Sequence, residues 1–162
     1  MTDQTGTRAS LAGRTLVAGR ARGRALVLPQ PLSFWGGVDP ATGVVVDRRH
    51  PRAGACLTGR VVLMPAGRGS SSSSAVFAEA VRLGTAPAAL LLLEPDPILV
   101  VGAIVAQELY GRTVPVVLLE PEAFHGIRDG QWVELNASDE GSRSGAFVQV
   151  RQDQELTPPG TP

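Results

Sequence analysis

The sequence predicts a mixed α/β domain. Three apolar runs, residues 61–64, 88–93 and 114–119, are short, rich in Val and Leu, and uninterrupted, as strands buried on both faces are. Between them, residues 75–83 and 98–110 carry apolar side chains at helical spacing. Shorter β-type runs flank this centre on both sides. The centre reads strand–helix–strand–helix–strand. Right-handed crossovers make its strands parallel, and the flanking strands are expected to form a second β layer.

Taken in order, residues 1–12 are small and polar without periodicity and read as disordered. The tail at 152–162, rich in Pro and Gly, reads the same way, which leaves 13–151 as the domain. Residues 15–18 and 25–28 are short apolar runs, expected to pair with each other as strands. Residues 31–43 (PLSFWGGVDPATG) form a turn-rich loop. A β-branched run at 44–46 precedes the strand at 61–64, which Pro65 ends. In the first helix, Val76, Phe77, Ala80 and Val81 share a face, Glu79 and Arg82 lie off it, and Gly84 is the stop. Pro97 starts the second helix and Gly111 stops it. A helical turn is expected over 122–127, then closing strands at 131–135 and 146–151.

Composition excludes several function classes. Formal net charge is zero, so no general field favours nucleic acid or an anionic membrane. Arg20, Arg22 and Arg24 alternate along one strand face and read as a solvated face rather than a nucleic-acid patch. All 15 basic residues are Arg, so neither a Schiff-base lysine nor a P-loop lysine exists. Cys56 is the single cysteine; it reads as structural, and no intrachain disulfide can form. The first residues hold no apolar signal segment, and Glu94-Pro95-Asp96-Pro97 breaks the most apolar region. No membrane span is expected, and a cytoplasmic location fits.

The run GRGSSSSS, residues 67–74, joins a predicted buried strand directly to a predicted helix. Serine tracts are often slack linkers. This one instead occupies the carboxyl end of a strand in an α/β sheet, where ligands bind. Gly67 and Gly69 permit backbone angles and close approaches that a β-carbon forbids. Unpaired N–H groups in the first helical turn favour a carboxylate or phosphate. Arg68 adds a planar fork for a carboxylate, and Ser70 and Ser71 are candidate helix caps. The field that holds an anion also stabilises a serine alkoxide, so a serine here can serve as a base when water is excluded. The run lacks the lysine of a P-loop and the G-x-S-x-G of a hydrolase elbow.

Four stretches, PLSFWGGVDPATGVVVDRRHP, GRVVLMPAGRGSSSSS, GTAPAALLLLEPDPILVVGAIVAQELYG and VPVV, together resemble the small subunit of the aconitase X family. The resemblance runs from about residue 13 to 135. It implies the swivelling β/β/α domain of aconitases and a hydro-lyase (dehydratase) activity. Family members act on cis-3-hydroxy-L-proline or on mevalonate 5-phosphate. The family's catalytic serine follows the Gly-Arg-Gly turn, which places the role on Ser70, with Gly67, Arg68, Gly69 and Ser71 around the substrate. Archaeal members carry Gly-Ser-Thr-Val-Gly after that turn; five serines here point toward the bacterial group and cis-3-hydroxy-L-proline. The resemblance also implies an iron centre, commonly an iron–sulfur cluster. A conventional cluster needs several thiolates, so this chain, with Cys56 alone, is expected to bind no metal itself. The iron or iron–sulfur cluster is expected on an aconitase X-type large subunit, in a heterodimer active only when assembled.

Other residues carry two readings each. Asp47, Arg48, Arg49 and His50 are either a solvated turn or a contact with substrate or partner. His50 lacks the companions of a metal ligand. Phe34 and Trp35, beside Gly36-Gly37, are core packing or a lid or subunit contact. Glu94 and Asp96 stand at the second strand-to-helix junction, where they line the same cleft as the serine run or supply charge to a helix N-terminus. A rival to the enzyme reading is a non-catalytic module that holds a small anion in the Gly-Arg-Gly-Ser loop.

Overall fold

The computed structural model describes residues 8–140 and 145–151. Its strands are β1 (Arg8–Val17), β2 (Gly19–Val27), β3 (Val38–Asp39), β4 (Val44–Val45), β5 (Val61–Met64), β6 (Ala89–Leu92), β7 (Val116–Leu119), β8 (Trp132–Ser138) and β9 (Gly145–Arg151). Its helices are α1 (Phe34–Gly37), α2 (Ser73–Leu83), α3 (Pro97–Tyr110) and α4 (Pro121–His125). Seven strands close into one barrel in the order β1-β7-β6-β5-β2-β8-β9, and β3 pairs only with β4. β2, β5, β6 and β7 run parallel, whereas β8, β9 and β1 complete the barrel by antiparallel pairing.

The double burial of the central runs has a plain origin. Val61, Leu63, Ala89, Leu91, Val117 and Leu119 point into the barrel, against Val133, Leu135 and Val148 of the antiparallel half. Their chain neighbours Val62, Met64, Leu90, Leu92 and Val116 point outward under the helices, against Phe77, Val81, Leu99 and Ala103. Both faces of the parallel strands are thus covered, so no alternation survives in their sequences. The antiparallel half has one solvent face: on β9, Val148 and Val150 are buried while Phe147 is 66% exposed. Arg20, Arg22 and Arg24 point to solvent along β2, as their alternation predicts.

The helices start and stop close to the predicted residues. α2 ends at Gly84 (φ 78°) and α3 at Gly111 (φ 62°), both in the left-handed conformation that glycine adopts without strain. α3 packs on α2 through Gly102. A β-carbon there would lie 2.8 Å from the Ser74 carbonyl oxygen and 3.2 Å from its α-carbon. Alanine in place of a mid-helix glycine gains about 1 kcal/mol of propensity, but overpacking a rigid contact costs about 1–3 kcal/mol. The nearest obstructing atom is backbone, and the buried Phe77 ring stands beside it at 3.1 Å, so the second effect wins. Gly102→Ala is expected to lower the thermal unfolding temperature, whereas alanine at the open helix end of Gly111 adds no clash but forces a positive φ.

Three expectations are corrected. Residues 15–18 and 25–28 do not pair with each other: β1 lies between β7 and β9, and β2 between β5 and β8. Pairing them would leave open edges elsewhere, and closure removes those edges. The expected second β layer is present: β8, β9 and β1 form it, closed with the parallel strands into one barrel. The first strand also begins inside the stretch expected to be disordered, since Arg8 to Gly13 pair residue by residue with Arg151 to Ala146. That partner comes from the other end of the chain, which local composition cannot reveal. The remaining termini of the expected disorder, residues 1–7 and 152–162, lie outside the described residues. Cys56 is exposed rather than packed, and its Sγ donates to the Thr42 carbonyl at 3.7 Å. No described helix is long and apolar enough to cross a membrane.

Candidate active site

β5 and β6 are neighbouring parallel strands, so the loops that leave their carboxyl ends stand side by side. Between them lies a cleft of about 280 Å³. Residues 67–69 and Ser73 line one side, Glu94 and Asp96 the other, with Leu32 and Phe34 completing the wall. The serine run and the Glu94–Asp96 turn therefore meet at one site.

Two glycines shape the loop. Gly67 forms a parallel bridge with Leu32, and a β-carbon on it would run into the Asp96 carboxylate. Gly69 has φ 95°, and a β-carbon there would lie 2.5 Å from Ser33 Oγ. A side chain at either position would push the loop off its supports. Beyond Gly69 the chain turns tightly into α2. The Ser73 N–H donates to the Ser70 carbonyl at 3.0 Å and the Ser74 N–H to the Ser71 carbonyl at 3.2 Å. Ser70 is exposed, and its Oγ accepts the Ser72 N–H at 3.1 Å.

This geometry corrects the capping expectation. The N-cap residue of α2 is Ser72, in helical conformation and without a side-chain cap bond. Ser70 captures one N–H with its hydroxyl, whereas Ser71 contributes only its carbonyl, which also accepts the Ser74 hydroxyl at 2.8 Å. The N–H groups of Ser72, Ser73 and Ser74 are satisfied within the run. Those of Gly69, Ser70 and Ser71 meet no acceptor among the described residues. The donors open to an anion thus sit at the loop apex, one turn before the place the helix-terminus argument assigns.

Arg68 is 59% exposed and its Nη2 meets Asp47 Oδ2 at 3.4 Å. Asp47 Oδ1 accepts the Arg49 N–H at 2.9 Å, so Asp47 links the charged turn to the serine loop while Arg49 itself is exposed. An exposed pair at this distance is worth well under about 1 kcal/mol, so Arg68 is held weakly and can turn to a ligand. His50 is brought to no site: it is buried at 5% exposure. Its Nε2 donates to the Gln30 carbonyl at 3.1 Å while its Nδ1 accepts the Arg52 N–H at 3.0 Å. Both ring nitrogens are used in pinning two loops, and His50 is not among the residues that line the cleft.

Phe34 and Trp35, adjacent in sequence, part company. Phe34 is buried, edge-on to Phe77 with ring centroids 5.1 Å apart. Trp35 is 58% exposed. Glu94 is exposed at the cleft, whereas Asp96 is a helix cap: its Oδ1 accepts the N–H groups of Ile98 at 2.9 Å and Leu99 at 3.1 Å. Loss of such a cap costs about 1 kcal/mol. Asp96→Ala is expected to lower stability by about that amount in urea titration, and Asp96→Asn to recover most of it, because the amide oxygen still caps.

Sequence reasoning did not single out Ser33 and Ser73. Ser73 is 3% exposed; its Oγ accepts the Trp35 N–H at 3.0 Å. Its spacing from Phe77 puts both on one helical face, which is the signal that sets it apart from the other serines. Among the described residues, no three His, Cys, Asp or Glu side chains stand together as a metal site.

A seven-stranded barrel with α2 and α3 packed on its parallel strands and a glycine-serine loop after β5 has the architecture of a swivel domain. A family model described as aconitase X swivel domain matches residues 10–144, and the chain belongs to that family. It is 52% identical over 122 residues to cis-3-hydroxy-L-proline dehydratase of Pseudomonas aeruginosa, covering 75% of this chain but only 21% of that protein. It is 39% identical over 130 residues to the phosphomevalonate dehydratase small subunit of Methanosarcina acetivorans, covering 80% of this chain and 86% of that one. In structure it is similar to aconitase X of Thermococcus kodakaraensis, with TM-score 0.75 and 30% identity, over 89% of this chain and 99% of the other. The chain therefore spans about a fifth of the Pseudomonas dehydratase and most of the small subunits.

Proposed function

We propose that this chain is the small subunit of an aconitase X-type dehydratase, and that Ser70 removes the substrate proton. The observation that supports this reading is that Ser70 is exposed and directly follows Gly69, which lines the cleft, with its Oγ already accepting the Ser72 N–H. A donated N–H favours the oxyanion over the neutral hydroxyl, and open N–H groups at Gly69 and Ser71 add to that field. In the proposed step, Ser70 Oγ, ionised to the alkoxide before the substrate reacts, takes the proton from the carbon beside the substrate carboxylate and becomes the neutral hydroxyl. The electron pair left on carbon forms the double bond as hydroxide departs. Arg68 turns from Asp47 to pair with the carboxylate and holds the charge that develops there.

The residues of this chain do not fit an iron–sulfur cluster. Cys56 is a lone, exposed thiol already bonded to Thr42, and Fe–S clusters need several thiolates. Binding, orientation and proton removal are the tasks assigned here; expulsion of the hydroxyl belongs to a large subunit, which closes over the cleft in a heterodimer. The identity to the Pseudomonas protein supports a cis-3-hydroxy-L-proline-like substrate. One observation favours a second reading, mevalonate 5-phosphate: the Methanosarcina acetivorans phosphomevalonate dehydratase small subunit is matched along 86% of its length, the Pseudomonas protein along 21%.

The test is reconstitution. The full chain is purified alone and with the aconitase X-type large subunit of the same organism, and both substrates are assayed. Turnover of one substrate by the complex and by neither chain alone is the expected result. Activity of this chain by itself, or a stable small-molecule complex without a protein partner, would overturn the two-subunit reading in favour of the lone enzyme or the binding module.

A further inference from the structure

The five serines are not equivalent, and the structure separates them into two jobs. Ser73 alone is buried, at 3% exposure, and its hydroxyl points away from the loop apex toward the Phe34–Gly37 turn. There it accepts the Trp35 N–H at 3.0 Å. Ser33, on the other side of that turn, donates its hydroxyl to the Trp35 carbonyl at 2.9 Å. The two hydroxyls stand 3.5 Å apart. Both polar backbone atoms of Trp35 are thus gripped by serines, although its side chain is exposed.

The same two serines touch the catalytic loop. Ser73 is the first residue of α2, and its own N–H closes the turn on the Ser70 carbonyl at 3.0 Å. Ser33 Oγ lies against the α-carbon of Gly69, so close that a side chain there would collide with it. Leu32, the preceding residue, bridges Gly67 and accepts the Arg68 N–H at 3.4 Å. Residues 32–35 therefore run beside 67–69 as a splint, and Ser73 is the pin that joins the splint to the start of the helix.

We infer that Ser73, with Ser33, is a positioning residue that couples the Trp35 turn to the geometry of Ser70. This rests on the reading of Ser70 as the base. A buried hydroxyl between two loops is costly to leave unpaired, which makes the latch cooperative: when one partner goes, the other group loses its bond. A force on Trp35, the exposed member of the turn, is transmitted through two backbone bonds to the loop that carries Ser70.

The experiment is amide hydrogen exchange on the full chain, read by NMR for wild type, Ser73→Ala and Ser33→Ala. Local opening changes the exchange of the amides it exposes and no others. The expected result is that the Trp35 and Ser72 amides of Ser73→Ala exchange at least about tenfold faster, while Leu63 and Leu91 in the core are unchanged. Ser33→Ala, at a partly exposed site, serves if Ser73→Ala does not fold, and is expected to accelerate the same two amides. An accelerated Trp35 amide beside an unchanged Ser72 amide overturns the coupling, as does uniform acceleration throughout the chain. In the assembled complex, Ser73→Ala is expected to lower kcat by about tenfold with KM within about twofold, the mark of a misplaced base rather than lost binding. If the wild-type complex dehydrates neither substrate, the functional reading fails, and the exchange data still decide the coupling.

Discussion

Ser70→Ala is expected to lower kcat of the assembled enzyme by about 10²–10⁴-fold while KM stays nearly constant. The alanine side chain removes the proton acceptor assigned to the step and, with it, one exposed turn bond. Ser70 Oγ makes one bond, from the Ser72 N–H, and the turn into α2 is held by the Ser70 carbonyl, which the substitution keeps. Ser70 is exposed, so no cavity forms and the unfolding temperature is expected to move by no more than a degree or two. Ser72→Ala is the control: its hydroxyl makes no bond among the described residues, and its N–H and carbonyl are kept. A complex carrying Ser70→Ala that turns over at the wild-type rate would end the assignment of this serine as the base.

Phe77→Ala is expected to produce the largest loss of stability, about 3–5 kcal/mol, as for other buried Phe truncations. Domains of this size are stable by only about 5–15 kcal/mol, so the unfolding temperature should fall by roughly 10 °C or more. Phe77 is fully buried. It sits where α2, α3 and the Phe34 turn meet: its ring is edge-on to Phe34, with an interplanar angle of 75°, and it lies beside Gly102 of α3. The cavity has no easy way to collapse, because Gly102 is already against the α2 backbone. Phe34 also lines the cleft, so the loss of its partner ring should loosen the site before the barrel melts. Calorimetry of the full chain checks the magnitude. A drop of only a degree or two would mean that this junction is not the cornerstone of the helical layer.

The contrast between two neighbouring residues shows where sequence reading stops. Phe34 and Trp35 are both large and aromatic, and nothing local says which faces inward. The kink at Trp35 and Gly36 decides it: Gly36 has φ 73°, and the turn reverses direction between the two rings. His50 is a similar case. One of its ring nitrogens is bonded to the Gln30 carbonyl, twenty residues away. Asp96, by contrast, precedes Pro97 and a long apolar helix, so its capping role is legible from the sequence, and the structure places its carboxylate on the first N–H groups of α3.

The sequence by itself determined the strand–helix–strand–helix–strand centre, the two glycine stops and the strand-to-helix position of the serine run. These follow from periodicity and from backbone angles only glycine takes without strain, properties of a few adjacent residues. Tertiary structure alone decided the closure of the barrel, since β1 finds β9 from the far end of the chain. It also decided which loop donors stay open and which serine is buried. Those outcomes depend on what segments distant in sequence bring to the same place, and no local pattern records that.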